Sequence, residues 1–84
     1  RQRLEATRLF LGEKPDHWFE KIDSIELDLR AWIIERGWGN GDTLWPLRVA
    51  LSGKEKSPSP FELLYVFQRS RSLQRIDEAI AHLA

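Results

Sequence analysis

Apolar side chains along this chain recur at helical spacing, and nowhere do they alternate as a strand would require. Leu4, Leu9, Phe10 and Leu11 precede Gly12 and read as the end of a first helix. The segment Gly12 to His17, with Pro15 inside it, breaks that pattern. From Ile22 the apolar positions are Ile22, Ile25, Leu29, Trp32 and Ile33, one stripe of an amphipathic helix. Leu27 and Ile34 lie off the stripe and leave a second face to be covered. Gly37, just after Arg36, stands where a left-handed glycine ends a helix. The glycines at 37, 39 and 41 mark a loop. The next helix is expected to start between Thr43 and Pro46, since proline fits the first turn. Leu44, Leu47 and Leu51 share its face, and Gly53 closes it. After the Pro- and Ser-rich loop, Ser59, Pro60 and Glu62 have the spacing of a capping box. The helix from Phe61 to about Phe67 is apolar nearly all round. A last helix, capped by Ser70 or Ser72, carries Leu73, Ile76, Ile80 and Leu83. The fold class is therefore all-α, a compact bundle of four to five short helices forming one domain over residues 1–84.

Composition narrows what such a bundle can do. With 84 residues the core is small, but four Trp, four Phe and one Tyr enlarge it. The absence of Cys removes disulfides, thiolate catalysis and Cys-based zinc sites. His17 and His82 have no metal-ligand neighbour at helical spacing, and no apolar run is long enough to span a bilayer. A soluble, cytoplasmic chain is expected. It starts at Arg1 and contains no Met, which suggests a piece of a longer protein. No acid–base pair or nucleophile is assembled at readable spacing, and Asp23, Glu26 and Asp28 read as a solvated helix face.

Thirteen basic and thirteen acidic side chains cancel, which excludes a protein that holds polyanions by bulk charge. The distribution is more informative. Residues 1–42 hold seven basic and nine acidic groups, net −2, whereas residues 43–84 hold six and four, net +2. In that second half Arg48, Lys54, Lys56, Arg69, Arg71 and Arg75 stand among Trp45, Phe61 and Tyr65. Cations interleaved with aromatics suit single-stranded RNA, whose unstacked bases lie on flat side chains. An ordinary helical surface with its aromatics in the core explains the same composition.

The run from Leu44 to Gly53 (Leu44-Trp45-Pro46-Leu47-Arg48-Val49-Ala50-Leu51-Ser52-Gly53), followed by Ser57-Pro58-Ser59-Pro60-Phe61-Glu62, resembles the carboxy-terminal anticodon-binding region of bacterial-type glutamyl-tRNA synthetases. That family reads Pro-Leu-Arg-x-Ala-Leu-(Ser/Thr)-Gly and then (Ser/Thr)-Pro-x-x-Phe-Glu. The likeness covers roughly residues 42–83 and is loose before them. It implies a subdomain that receives the anticodon stem-loop of tRNA(Glu), attached to upstream domains of the same chain and working as a monomer. On this resemblance Arg48 reaches an anticodon base, with Trp45 nearly one turn before it. Ser57, Pro58 and Pro60 form the loop that contacts the anticodon, and Arg71 is counted with the contacts; Arg69, Arg71 and Arg75 could each touch phosphate, but a solvated helix face is expected for at least two of the three. Arg48 could instead pair with Glu55 or Glu62, Trp45 could pack in the core, and Phe61 is expected there. The parent would adenylate glutamate with ATP and Mg²⁺ in a catalytic domain; its HIGH and KMSKS signatures are absent, so no cofactor is expected here. Two departures stand out. Gln68 replaces the family's usual glycine, so the helix before it is expected to run on, and Pro60 stands where the family commonly has leucine. The rival expectation is a helical protein–protein module without RNA contact, docking through the Trp-rich, acidic first half.

Overall fold

The computed structural model describes residues 2–53 and 58–83, and among these the chain is built of helices and turns alone. Helix α1 (Gln2–Gly12) leads through a 3₁₀ turn (Asp16–Glu20) to α2 (Ile22–Glu35), α3 (Asn40–Ser52) and α4 (Pro60–Leu83). Helix α4 is the spine against which the other elements pack.

The stripes read from the sequence form the core. Leu4 and Leu11 of α1, Ile25, Leu29 and Ile33 of α2, and Leu47 and Leu51 of α3 close on Phe61, Leu64, Leu73 and Ile76 of α4. Phe19, on the 3₁₀ turn, is fully buried among them, although the sequence pattern assigns it to no element. Leu27 and Ile34 are each 70% exposed, so this chain does not cover the second face of α2. Removing either from water would stabilise only if another surface supplied the cover.

Helix ends follow local chemistry. Gly37 takes φ 75°. Its N–H donates to Ile34 O at 2.9 Å and that of Trp38 to Ile33 O at 3.2 Å, the paired bonds of a Schellman end. Gly53, at φ 73°, likewise closes α3. At the start of α4, Glu62 N–H donates to Ser59 Oγ at 3.2 Å, as the capping-box spacing predicts. Helix α3 departs from expectation. It begins at Asn40 and carries Pro46 inside. Thr43 is buried and its hydroxyl donates to Gly39 O at 3.2 Å, so a turn forms ahead of the proline. The proline still removes the bond its N–H would make four residues back.

The second departure is at position 68. The helix does not run on: Gln68 adopts φ 62°, ψ −170°, dividing α4 into arms 60–67 and 69–83. That region is nearly glycine-only and costs a residue with a Cβ about 1–3 kcal/mol. The Gln68 carboxamide offsets this by donating to Phe19 O at 2.8 Å and to Tyr65 O, tying the first arm to the 3₁₀ turn. Neither serine caps the second arm as expected: Ser70 is exposed and Ser72 fully buried. The Ser72 hydroxyl has no hydrogen-bond partner. Its usual acceptor would be the carbonyl four residues back, which belongs to Gln68 and is turned off the helix axis by that ψ. Strain and tether can be separated. Gln68→Ala keeps the strain and loses the bonds, and is expected to lower stability by about 1–2 kcal/mol. Gln68→Gly relieves the strain and should be more stable than Gln68→Ala by about 0.5–2 kcal/mol, the strain less glycine's entropy cost. Denaturant titration of the two variants measures that difference directly.

Arginines make further ties. Arg69 donates from Nε to Lys14 O at 2.9 Å and from Nη2 to Gly12 O at 2.8 Å, capping the carbonyl end of α1. Arg8 grips Asp77 with Nε at 2.7 Å and Nη2 at 3.2 Å, joining α1 to α4. The hydrogen bond to Asp77 raises the Arg8 guanidinium above its ordinary value, against a smaller opposing effect of burial. A raised basic group stabilises fully below its unfolded value, so through the arginine this contact is constant across neutral pH.

Candidate nucleic-acid interface

Helix α3 presents the residues that the family motif singles out. Leu47 and Leu51 are buried, which fixes the rotation of the helix and sets Trp45 outward at 50% exposure. Arg48, one turn on, is half-buried with its Nε shielded from water. Partial burial of so long a side chain restricts its freedom. Gly53 then turns the chain out of the helix. Pro58 is exposed, whereas Pro60 is buried at the first position of α4 and shapes the turn from within. Ser57, Lys54 and Lys56 lie outside the described residues. Phe61 is buried in the core as expected, with the Arg30 guanidinium 5.1 Å from its ring centre.

Trp45, Pro46, Val49 and Ala50 form one wall of a groove of about 570 Å³. Arg75, Ala79 and Leu83, on the second arm of α4, form much of the other. The groove is mainly apolar, open to solvent, and edged by Glu78 and His82. It brings Trp45 together with Arg75, a residue the motif does not mark. Arg71 lies further along, exposed, its guanidinium carbon 5.0 Å from the centre of the Phe67 ring. Arg69, by contrast, is occupied with the end of α1 and is not offered to a ligand here. The signal for Arg75 is present in the sequence, four residues after Arg71 on one helix face, but its neighbour Trp45 is thirty residues away and only the fold joins them.

The tryptophans of the first half are engaged internally. Phe10 stacks on Trp32 with ring centres 4.6 Å apart, and Trp18 and Trp38 meet this pair edge-on. The Trp18 indole N–H donates to Asp28 at 2.7 Å. Among the described residues no three His, Asp or Glu side chains gather as they would around a metal ion. No helix among them is long and apolar enough to cross a membrane.

Comparison with known proteins gives the family. Residues 2–80 match the anticodon binding domain family. A glutamate–tRNA ligase of Lachnoclostridium phytofermentans is 41% identical over 64 residues, 75% of this chain and 13% of the relative. One from Clostridium acetobutylicum is 36% identical over 72 residues, 84% of this chain and 14% of the relative. One from Thermus thermophilus is 35% identical over 66 residues, 79% of this chain and 14% of the relative. The chain thus spans about one-seventh of the length of these relatives. No solved structure matches it.

Proposed function

The chain belongs to the anticodon-binding domain family, and on that premise we propose that it receives the anticodon stem-loop of tRNA(Glu) as part of a glutamate–tRNA ligase. The observation that carries the reading is the placement of exposed Trp45 one turn from Arg48, on the helix that feeds the turn to Pro58 and Pro60. A guanidinium can hydrogen-bond a base edge and stack on its face, and an exposed indole gives an unstacked base a platform. Pro58 and Pro60 restrict the backbone leading into α4, which limits the freedom lost there on binding, and Ser57 is the hydroxyl that the family motif adds. The adenylation of glutamate and its transfer belong to the parent's catalytic domain; this chain binds and positions. The same reading has it working in the cytoplasm, as a monomer, joined to the other domains of its own polypeptide.

A second reading, a protein-docking module without RNA contact, draws on the exposed Leu27, Ala31 and Ile34 of α2. It loses support from Trp18 and Trp38, both half-buried in the internal aromatic run. Backbone amide shifts on titration with the stem-loop distinguish the two. The RNA reading expects the largest shifts in residues 45–53 and 58–61. Shifts confined to α2, or none, would overturn it.

A further inference from the structure

Phe67, half-buried at the end of the first arm of α4, has two cations on one ring. The guanidinium carbon of Arg71 lies 5.0 Å from its centre and that of Arg75 4.7 Å. Like charges gathered on one ring repel, and among the described residues neither arginine has a carboxylate within ion-pair distance. Asp77, on the same arm, is held by Arg8. Arg75 donates one edge to Leu51 O, at the carbonyl end of α3, at 3.3 Å. Arg71 has the ring and nothing more among the described residues. A guanidinium held against a ring keeps N–H groups for another partner while its rotamers are restricted, the state in which it grips a phosphate with least ordering cost. Arg71, Gln74, Arg75 and Glu78 line a hollow of about 250 Å³. Arg75 borders both this hollow and the groove that carries Trp45, so the two surfaces are continuous.

We propose that Arg71 and Arg75, backed by Phe67, form a clasp for a phosphodiester of the bound RNA, continuing the path that begins at Trp45. This inference rests on the RNA-binding reading but divides the work differently. Arg48 selects a base, whereas the clasp holds the backbone whatever the sequence. Glu78 sets its limit, since a carboxylate in the same lining favours one phosphate seated on Arg71 over a broad anionic surface.

Salt dependence separates the two roles. One phosphate contact contributes about 0.7–0.9 to the slope of log affinity against log salt. Between about 50 and 200 mM salt, the wild-type chain is therefore expected to lose about threefold more affinity than Arg71→Gln. The variant should weaken binding equally for the cognate stem-loop and for one with an altered anticodon, leaving their ratio unchanged. Arg71→Lys should restore the salt slope, because charge and not fork geometry sets counterion release. Arg71 is exposed and makes no backbone bond, so its melting midpoint serves as the folding control. An unchanged slope in Arg71→Gln overturns the clasp, and points to an acidic protein segment as the anion if such a segment binds. A loss that depends on the anticodon triplet also overturns it, by making Arg71 a base reader. Failure of the wild-type chain to bind either stem-loop strikes the RNA reading itself, which keeps the two failures apart.

Discussion

Phe19→Ala is expected to lower the stability of the folded chain by about 3–5 kcal/mol, more than either change at Gln68. The ring is fully buried, meets Trp18 edge-on at 5.0 Å, and sits under the point where Gln68 ties α4 to the 3₁₀ turn. Truncation loses the transfer energy of an aromatic side chain and leaves a cavity that a turn held by Pro15 cannot easily collapse. A domain this small has only about 5–10 kcal/mol in total, so the variant should be partly unfolded at room temperature. Its thermal midpoint should fall by roughly 20 °C. Leu27→Ala provides the contrast. It removes an apolar side chain of similar character from a site 70% exposed, and should stay within about 0.5 kcal/mol of the parent. Equal losses at the two positions would mean that the 3₁₀ turn does not seal the core.

These two residues also show which parts of the fold the sequence announces. Periodicity places Ile25, Leu29, Ile33, Leu47 and Leu51 in the core because a helix repeats its buried face over several turns. Phe19 lies on five residues of 3₁₀ helix, too few for any period to develop, and the side chain that ties its carbonyl comes from Gln68, forty-nine residues away. Leu27 and Ile34 show the opposite case: their apolar character asks for cover, and only the packing shows that this chain does not provide it. The helix ends at Gly37 and Gly53 are legible because positive φ selects glycine strongly. The apolar pattern divides the last two helices near Phe67, but Gln68 takes the positive φ at that break without a glycine to announce it, held by its local bond to Tyr65 and its tertiary bond to Phe19.

The candidate site divides in the same way. Arg48 and Trp45 are found through a local motif, since they lie one turn apart on one helix. Phe67, Arg71 and Arg75 lie four residues apart within α4, but their continuity with the Trp45 groove requires α3 and α4 to be packed together. Arg69 is the instructive miss. In the sequence it is one more cation in a basic stretch, but its guanidinium is committed to the carbonyls of Gly12 and Lys14 and carries structure instead of charge to a ligand.

Arg48→Ala is the second large effect expected. If the guanidinium reads a base edge, its removal should cost about 1–3 kcal/mol, a fivefold loss or more, and relax discrimination at that base. The cost should fall on the cognate stem-loop and largely spare an RNA already mismatched there, because no good contact is left to lose. Arg48→Lys should rescue little. A lysine retains the charge but offers no planar fork and no face for stacking. The half-buried stem of Arg48 also packs on the bundle, so each variant's unfolding midpoint must be measured alongside its affinity.

The most direct test is therefore a low-salt titration of wild type and Arg48→Ala with two RNAs, the anticodon stem-loop of tRNA(Glu) and the same stem-loop with its anticodon replaced. Recognition through Arg48 predicts that the wild-type chain prefers the cognate RNA and that Arg48→Ala loses most of that preference while remaining folded. Equal binding of the two RNAs by the wild-type chain, or an unchanged preference in the variant, would contradict it.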